Sequence, residues 1–201
     1  MTPIFKQILI ELEKRNKTAP FIIAIDGFGG AGKTTFAKKL QQYLTPYYNV
    51  KLFHLDNAIE PAARRYGTGY EEWFEYYYLQ WDIKEISNQF FTRVKECERK
   101  VFFPFYDEGK DRTMMQSYSI DSFDIILIEG VFIQREEWRP YIDYSIFLHV
   151  PKEVRQIRLM ERDNGSKDLL LKYQRRYWRA EDYYWTTEKP LEGSSQVVLE
   201  N

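Results

Sequence analysis

Residues 22–40, IIAIDGFGGAGKTTFAKKL, decide the fold of this chain. They join an apolar run to the spacing Gly-x-x-x-x-Gly-Lys-Thr, which occupies 27–34. A short, uninterrupted apolar run is typical of a strand that is buried on both faces of a sheet. Glycines allow the backbone to bend tightly around an anion, and the following helix directs its positive N-terminus at the same anion. The stretch therefore predicts a strand, a phosphate-binding loop and a helix in succession.

The side chains at the end of this loop suit a nucleotide that carries a magnesium ion. Lys33 can bridge the β- and γ-phosphates, and the Thr34 hydroxyl can ligate Mg²⁺. The alternative is a chance glycine turn, which the apolar run before the loop and the helical pattern after it make the weaker interpretation. We predict that the nucleotide-binding residues are Gly27, Gly29, Gly30, Ala31, Gly32, Lys33, Thr34 and Thr35.

The rest of the chain alternates apolar runs with segments of helical spacing. Three further strands are predicted at 50–56, 124–130 and 144–150, and 196–201 is a candidate edge strand. Strands that alternate with helices favour βαβ units and a parallel sheet. We therefore predict one α/β domain over 1–201. It is a three-layer sandwich of the P-loop NTPase type, with a five-stranded parallel sheet, helices on both faces and a helical lid.

The composition narrows the classes of function. The 201 residues carry a formal net charge of −1, so no strong overall field draws the protein to nucleic acid or membrane. The single cysteine, Cys97, excludes an intramolecular disulfide framework and fits a reducing compartment. No apolar run approaches the roughly 20 residues that span a bilayer, and the first residues lack a signal-peptide pattern. We expect a cytoplasmic protein with no nucleic-acid or membrane partner, and a homo-oligomer remains open.

Acidic residues stand at the ends of two predicted strands. Asp56 follows the second strand and Glu129 closes the third. The carboxyl ends of parallel strands share one crevice, so both side chains should approach the glycine loop. Glu129 could support Mg²⁺ beside Thr34, and Asp56 could accept the proton of an attacking hydroxyl. The alternative for Glu129 is an acidic residue of an ordinary turn, and the alternative for Asp56 is a cap at the end of a strand.

Three arginines fall at steps of three and four residues on a predicted helix. Arg155, Arg158 and Arg162 should therefore share one helix face. Guanidinium groups stabilise the charge that concentrates on a transferring phosphoryl group. A lid that closes over the phosphates can carry such groups. A solvated helix face is the alternative, and the preceding phosphate loop favours the lid. We predict that Arg155 binds the nucleotide and that Arg158 and Arg162 are catalytic together with Lys33 and Asp56.

Taken in order, five segments resemble the phosphoribulokinase/uridine kinase family of P-loop small-molecule kinases. They are IAIDGFGGAGKTTFA, HLD, FPFYDEGKDR, IILIEGVF and DYSIFLHVPKEVRQIRLMERD. The resemblance covers most of the chain and implies transfer of the γ-phosphate of ATP, or GTP, to a hydroxyl of a small molecule in the presence of Mg²⁺. It makes 57–98 a helical insertion on the acceptor side, and 152–186 the lid with its following helix.

The same resemblance suggests where the acceptor binds. Tyr106 and Asp107 would line the acceptor pocket, with Arg112 in the same segment and with Asp56 as the group that activates the hydroxyl. Aromatic residues of 66–81 form a helical face that could stack on a flat ring or pack on the core, and Tyr77 is our candidate contact. The predicted metal ligands are Thr34 and Glu129.

Two departures from the family pattern leave more than one identity possible for the acceptor. Uridine kinases carry a histidine shortly after the Tyr-Asp pair, whereas 108–112 reads EGKDR, and the residues after Asp56 are Asn57, Ala58 and Ile59. The first expectation is a nucleoside such as uridine or cytidine. A kinase of another small alcohol, of the pantothenate or nicotinamide riboside kind, and a nucleotide-binding protein without catalysis are the alternatives. A GTP-dependent switch is disfavoured because the chain lacks an Asn-Lys-x-Asp segment.

Overall fold

The computed structural model describes residues 2–15 and 18–199, and a sheet of five parallel strands forms its central layer. In chain order the strands are β1 (Phe21–Gly27), β2 (Val50–His54), β3 (Lys100–Asp107), β4 (Arg112–Ser119), β5 (Ile125–Glu129), β6 (Tyr144–His149) and β7 (Gln196–Leu199). The central sheet has the order β2-β5-β1-β6-β7, and every neighbouring pair is parallel. The predicted five-stranded parallel sheet is confirmed, including β7 at its edge; the last two residues of the predicted edge strand lie outside the described range.

Helices surround this sheet. They are α1 (Thr2–Lys14), α2 (Lys33–Leu44), α3 (Ala62–Arg65), α4 (Glu72–Tyr78), α5 (Ile83–Ile86), α6 (Arg93–Lys95), α7 (Lys152–Arg162), α8 (Lys167–Lys172), α9 (Arg179–Glu188) and α10 (Pro190–Gly193). Two π-helical segments join neighbours: Ser87–Thr92 connects α5 to α6, and Tyr173–Trp178 connects α8 to α9. In the described ranges, no helix has the length and apolar character required to cross a bilayer.

The two faces of the sheet bury different side chains, because successive residues of a strand point to opposite faces. On one face Ile23 and Ile25 pack with aliphatic and aromatic residues of α1 and α2. On the other face Ile22 and Ala24 belong to a core that is rich in aromatic rings from the 57–98 region and α9. Both faces are covered, which explains the continuous apolar runs that made the strands recognisable in the sequence.

The strand pair β3–β4 was not predicted. It is an antiparallel hairpin whose register runs from Lys100 opposite Ser119 to Asp107 opposite Arg112. Pro104 lies within β3, and most of β4 is exposed and polar, so neither strand shows the buried apolar run of the central sheet. Val101 and Phe103 are buried on alternate positions, but the apolar residue Phe102 between them hides this alternation in the sequence.

A glycine allows the ends of β2 and β5 to approach each other beside the two strand-end carboxylates. A Cβ atom on Gly130 would lie 2.6 Å from the Cβ atom of Leu55, which is shorter than any ordinary contact. We expect Gly130→Ala to lower the free energy of unfolding by about 1–3 kcal/mol, because overpacking at this site must displace backbone. Urea denaturation measures the change.

The hairpin tip offers a matched control. On Gly109 the nearest atom to an added Cβ is Asp107 Oδ1 at 3.5 Å, an ordinary contact, so Gly109→Ala should change the unfolding free energy by no more than about 0.5 kcal/mol. Equal unfolding curves for the two variants would contradict the close approach of Leu55 and Gly130.

Candidate active site

The glycine loop between β1 and α2 is built for close backbone packing. Gly30 has φ of +79°, and a Cβ atom there would lie 2.9 Å from the carbonyl oxygen of Arg155. Gly27 has φ of +142°, and its Cβ would lie 2.8 Å from the carbonyl oxygen of Leu148. Helix α2 begins at Lys33, so its positive N-terminus faces the concave side of the loop. The loop therefore has the shape and the field of an anion site.

A cavity of about 660 Å³ opens above this loop at the carboxyl ends of the strands. It brings together ten of the residues proposed from the sequence: Gly29, Gly30, Gly32, Lys33, Thr34, Thr35, Asp56, Glu129, Arg158 and Arg162. Gly27 packs beneath the loop, and Ala31 lines a second cavity on the other side. The strand-end carboxylates thus share one space with the loop.

Glu129 holds two polar neighbours at the floor of the cavity. The Thr34 hydroxyl donates to Glu129 Oε1 at 2.9 Å, and His54 Nδ1 lies 2.6 Å from the same oxygen. Burial alone would raise the pKa of Glu129, but the hydrogen bond with His54, the charge of Lys33 and the bond from Thr34 together lower it. The contact with His54 was not foreseen, since a histidine within a strand carries no motif.

These oxygens fit a magnesium ion. An ionised carboxylate beside a hydroxyl is the hard oxygen donor set that Mg²⁺ prefers, and the ion usually completes its shell with water and substrate phosphate. Within 2–15 and 18–199 no group of three or more His, Cys, Asp or Glu side chains forms a ready-made metal centre. Thr34 and Glu129 are therefore ligand candidates for an ion that arrives with a nucleotide.

Asp56 opens onto the same cavity from a 3₁₀ turn, Leu55–Asn57, directly after β2. Its carboxylate reaches cavity solvent, but the surrounding walls exclude much of the bulk water. This desolvation raises the pKa of Asp56; the charge of Lys33 opposes the rise and that of Glu129 adds to it. A carboxylate with a raised pKa is a better proton acceptor than an ordinary one.

Basic side chains line the cavity from two sides. Lys33 Nζ donates to the carbonyl oxygen of Phe28 at 3.1 Å, and Arg158 Nη1 lies 3.4 Å from the carbonyl oxygen of Gly30. Arg162 contacts its sequence neighbour Asp163 at the end of α7, with Nε 2.6 Å from Oδ1. Arg158 and Arg162 thus occupy the side of the cavity predicted for the lid.

Arg155 does not line this cavity. It lies in the first turn of α7 behind the loop, where its Nη1 atom donates to the Gly29 carbonyl at 3.0 Å and to Glu181 Oε2 at 2.9 Å. Only 4% of the residue is exposed. Helical spacing gives the face of a residue but not its depth, and here Phe28 and α9 cover the guanidinium. In this structure Arg155 therefore lies beneath the loop, and its guanidinium contacts the loop backbone rather than the cavity.

The acceptor residues predicted on the hairpin use their polar groups locally. The Tyr106 hydroxyl donates to Asp111 at 2.8 Å, Asp107 pairs with Lys110 at 3.3 Å, and Arg112 contacts the sulfur of Met114. None of Tyr106, Asp107 and Arg112 lines the cavity in this structure. Their position at the hairpin tip, rather than along its inner face, explains the difference.

Tyr77 also lies outside the cavity. It is 2% exposed, donates to Glu188 at 3.0 Å and packs under the guanidinium of Arg135. Its neighbour Tyr76 lines the cavity instead, because one residue turns a helix by about 100°. Burial, with a smaller contribution from Asp56, raises the pKa of Tyr76, so its hydroxyl stays protonated.

Most of the remaining cavity wall is formed by residues that the sequence did not indicate. They come from the turn after β2, from α4 and its C-terminal end, from the residue after Gly130, and from the helical run 167–188. They are Ile59, Tyr76, Gln80, Val131, Leu169, Lys172, Tyr173, Tyr177 and Glu181. Aromatic enrichment marked both helical regions in the sequence but could not give the orientation of each ring.

A second cavity, of about 490 Å³, lies on the other side of the loop. It shares Gly30, Gly32, Thr35 and Arg158 with the first, and its remaining walls are the apolar side chains of Ala31, Phe36, Leu148, Val150, Val198 and Leu199. The two spaces therefore flank one phosphate loop, one polar and one apolar.

Comparison with known proteins agrees with this geometry. The sequence model of the "Phosphoribulokinase / Uridine kinase family" matches residues 22–168, which is most of the chain. The chain belongs to the phosphoribulokinase/uridine kinase family. Family membership explains why the loop, the strand-end carboxylates and the arginine helix occur in this order, and it makes the protein a small-molecule kinase.

Relatives of this family member include curated uridine kinases. That of Borrelia duttonii is 28% identical over 151 residues, covering 73% of this chain and 68% of the relative. A solved structure described as a "Possible Uridine Kinase" from Bacillus stearothermophilus is 35% identical, with a TM-score of 0.79 and 96% coverage of both chains. The D-glycerate 3-kinase of Cryptococcus neoformans has a TM-score of 0.66 at 12% identity, with 98% of this chain and 94% of that chain covered; it shows the shared fold alone.

Proposed function

We propose that this kinase transfers the γ-phosphate of ATP to a hydroxyl of a small molecule bound in the 660 Å³ cavity. The observation that carries the proposal is the position of Asp56, which opens onto the same space as Lys33 and the glycine loop. A protein that only holds a nucleotide has no need of a proton-accepting carboxylate beside the phosphate loop, and a space of this size exceeds what an attacking water requires.

The two cavities suggest how the nucleotide lies. Its phosphates occupy the glycine loop, and its base enters the apolar space formed by Phe36, Val198 and Leu199. The γ-phosphate then points into the polar cavity, toward Asp56 and the acceptor. GTP would occupy the same two spaces.

Transfer needs little covalent work by the protein. Asp56 takes the proton of the acceptor hydroxyl while that oxygen bonds to the γ-phosphorus, and the bond from phosphorus to the β–γ bridging oxygen breaks to leave ADP. Lys33, Arg158 and Arg162 offset the charge on the moving phosphoryl group. A magnesium ion held through Thr34 and Glu129 would neutralise the phosphate oxygens.

A nucleoside such as uridine or cytidine is the first candidate acceptor. The curated relatives described as uridine kinases support it. So do the rings of Tyr76 and Tyr177, which pack edge-to-face with centroids 4.7 Å apart and give the cavity an aromatic surface on which a flat base can stack. The Gln80 side chain adds an amide to the same wall. The hairpin residues Tyr106 and Asp107 would not take part unless the hairpin moved.

A hydroxy acid is the second candidate, and one observation favours it. The ammonium group of Lys172 lines the acceptor side of the cavity, 5.5 Å from the ring centroid of Tyr66 and 6.0 Å from that of Tyr177. Among the residues that the structure describes, no carboxylate forms an ion pair with it. A carboxylate on the acceptor would supply that partner.

An acceptor panel separates these candidates. ADP release is measured with uridine, cytidine, nicotinamide riboside and two matched pairs, pantothenate with panthenol and D-glycerate with glycerol. A nucleoside kinase should respond to the nucleosides, and Lys172→Met should leave that rate within about twofold of wild type. A hydroxy-acid kinase should prefer the acid of a pair, and Lys172→Met should lower kcat/KM for that acid alone by about 10- to 100-fold.

Lys172→Arg is the control that keeps the charge and should retain most of the activity toward an acid. No stimulation by any acceptor, with tight ATP binding retained, would contradict the kinase proposal and favour a nucleotide-binding protein without catalysis.

A further inference from the structure

Both backbone polar groups of one glycine in the loop are held by side chains from outside the loop. The N–H group of Gly29 donates to Glu181 Oε1 at 2.9 Å, and Arg155 Nη1 donates to the carbonyl oxygen of Gly29 at 3.0 Å. Arg155 and Glu181 also contact each other at 2.9 Å. Helices α7 and α9 therefore meet at the backbone of a single glycine.

The two side chains are themselves fixed in place. Arg155 Nε donates to the carbonyl oxygen of Val150 at 3.1 Å, and its guanidinium lies 5.0 Å from the ring centroid of Phe28. The side chains of Arg155 and Glu181 are 5% and 6% exposed. A buried ion pair is weak evidence for stability, because desolvation offsets much of its attraction. Its well-defined contribution here is the orientation of the two peptide groups that flank the Cα atom of Gly29.

Helix α9 reaches the same loop at a second point. The Tyr184 hydroxyl donates to Asp26 Oδ2 at 2.5 Å, and Asp26 Oδ1 accepts the N–H group of Gly27 at 2.7 Å. The beginning and the apex of the loop are thus both tied to one helix. A glycine-rich loop has little conformational preference of its own, so contacts of this kind determine its shape.

We propose that Arg155 and Glu181 are positioning residues that hold the phosphate loop in its nucleotide-receiving shape before the nucleotide binds. The inference rests on the proposed function, since it requires that the loop binds nucleotide phosphates. A loop that is already ordered loses less conformational freedom on binding, which raises affinity for the phosphates. Glu181 also lines the cavity, so Arg155 has the further effect of neutralising a carboxylate that would repel them.

Calorimetric titration with Mg-ATP and with inorganic tripolyphosphate tests this role without knowledge of the acceptor. Glu181→Gln keeps the size of the side chain but removes the ion pair, and we expect both affinities to fall in parallel by about tenfold. Arg155→Met should cost more, because it leaves the Glu181 carboxylate facing the phosphates. The double variant, Arg155→Met with Glu181→Gln, should bind ATP more tightly than Arg155→Met alone, because it removes the repelling carboxylate.

The control is a second buried ion pair, which joins the π-helical segment before α9 to helix α4. Arg176 and Glu75 contact each other at 3.0 Å with side chains 1% and 4% exposed, and the contact does not involve the loop. Glu75→Gln should lower the thermal unfolding temperature while Mg-ATP affinity stays within about twofold of wild type.

Three results would overturn the inference: unchanged affinities in Glu181→Gln, a loss confined to ATP with tripolyphosphate binding intact, or an equal loss in Glu75→Gln. Failure of the wild-type protein to bind Mg-ATP would contradict the proposed function itself. If Arg155→Met does not fold, the Mg-ATP affinities of Glu181→Gln and Glu75→Gln still test the inference.

Discussion

Asp56→Asn is expected to lower kcat by about 10²- to 10⁴-fold, because an amide of the same shape cannot accept the proton of the acceptor hydroxyl. The affinity for Mg-ATP should stay within about twofold of wild type, since Asp56 faces the acceptor space and makes no contact on which the phosphates depend. Steady-state kinetics with the acceptor identified by the panel, together with ATP calorimetry, measure the two effects separately.

The pH dependence gives the same prediction a second readout. The base must be ionised, so kcat/KM of the wild-type protein should fall about tenfold per unit as pH drops below the pKa of Asp56. Burial raises that pKa, which places the acidic limb above the ordinary aspartate value of about 3.9. Asp56→Asn should lose this limb.

The control for Asp56 is an exposed carboxylate outside the cavity. Asp182 lies on the outer side of α9, and Asp182→Asn should retain both the rate and the acidic limb of wild type. Turnover by Asp56→Asn at the wild-type rate would show that the proton leaves by another route.

Lys33→Met is expected to lower kcat/KM for ATP by about 10²- to 10³-fold, the usual cost of losing one well-placed group that stabilises transition-state charge. Lys33 Nζ donates to the carbonyl oxygen of Phe28, so the ammonium group lies directly at the loop, and the residue is 8% exposed. Methionine fills the volume of the stem, which separates loss of charge from loss of packing.

A second lysine of the same helix provides the comparison. Lys38 is exposed on α2, away from both cavities, and Lys38→Met should keep kcat/KM within about twofold of wild type. Equal kinetics for Lys33→Met and Lys38→Met would exclude a role for the loop lysine in phosphate binding.

The three inner strands of the central sheet, β1, β5 and β6, were predictable because they are buried on both faces. The runs that contain Ile23, Leu127 and Phe147 are apolar without interruption, and the glycine loop fixed the position of β1 among them. That Asp56 and Glu129 approach the glycine loop was predictable from the parallel sheet, because such a sheet brings the carboxyl ends of its strands to one edge. The strand order depends on pairing between distant segments, which no local pattern records.

The part of the cavity wall that α4 and α9 contribute was not predictable from local pattern. Helix α4 has only seven residues and carries aromatic rings on several sides, so packing decides that Tyr76 rather than Tyr77 reaches the cavity. Glu181 lies in no motif, and its role appears only when α9 is placed against the loop. Arg155 shows the converse: its spacing matched the lid, but its depth assigned it to the loop backbone.

The effect of losing one residue before Glu181 depends on whether the loss falls in the π-helical segment Tyr173–Trp178 or in the regular helix that follows it. A π-turn accommodates about one residue more than the α-helix that flanks it. Deleting one residue there would let α8 and α9 continue as a regular α-helix, and because the extra residue had been fitted into a single turn, Glu181 and Tyr184 would keep nearly the same faces toward Gly29 and Asp26. A deletion at 179–180, in regular α-helix, has no such compensation: Glu181 and Tyr184 would rotate by about 100° away from the loop, although no side chain had been substituted. Alignments of this family should therefore distinguish a single gap at 173–178, which the helix can absorb, from a gap at 179–180, which changes the contacts of the phosphate loop.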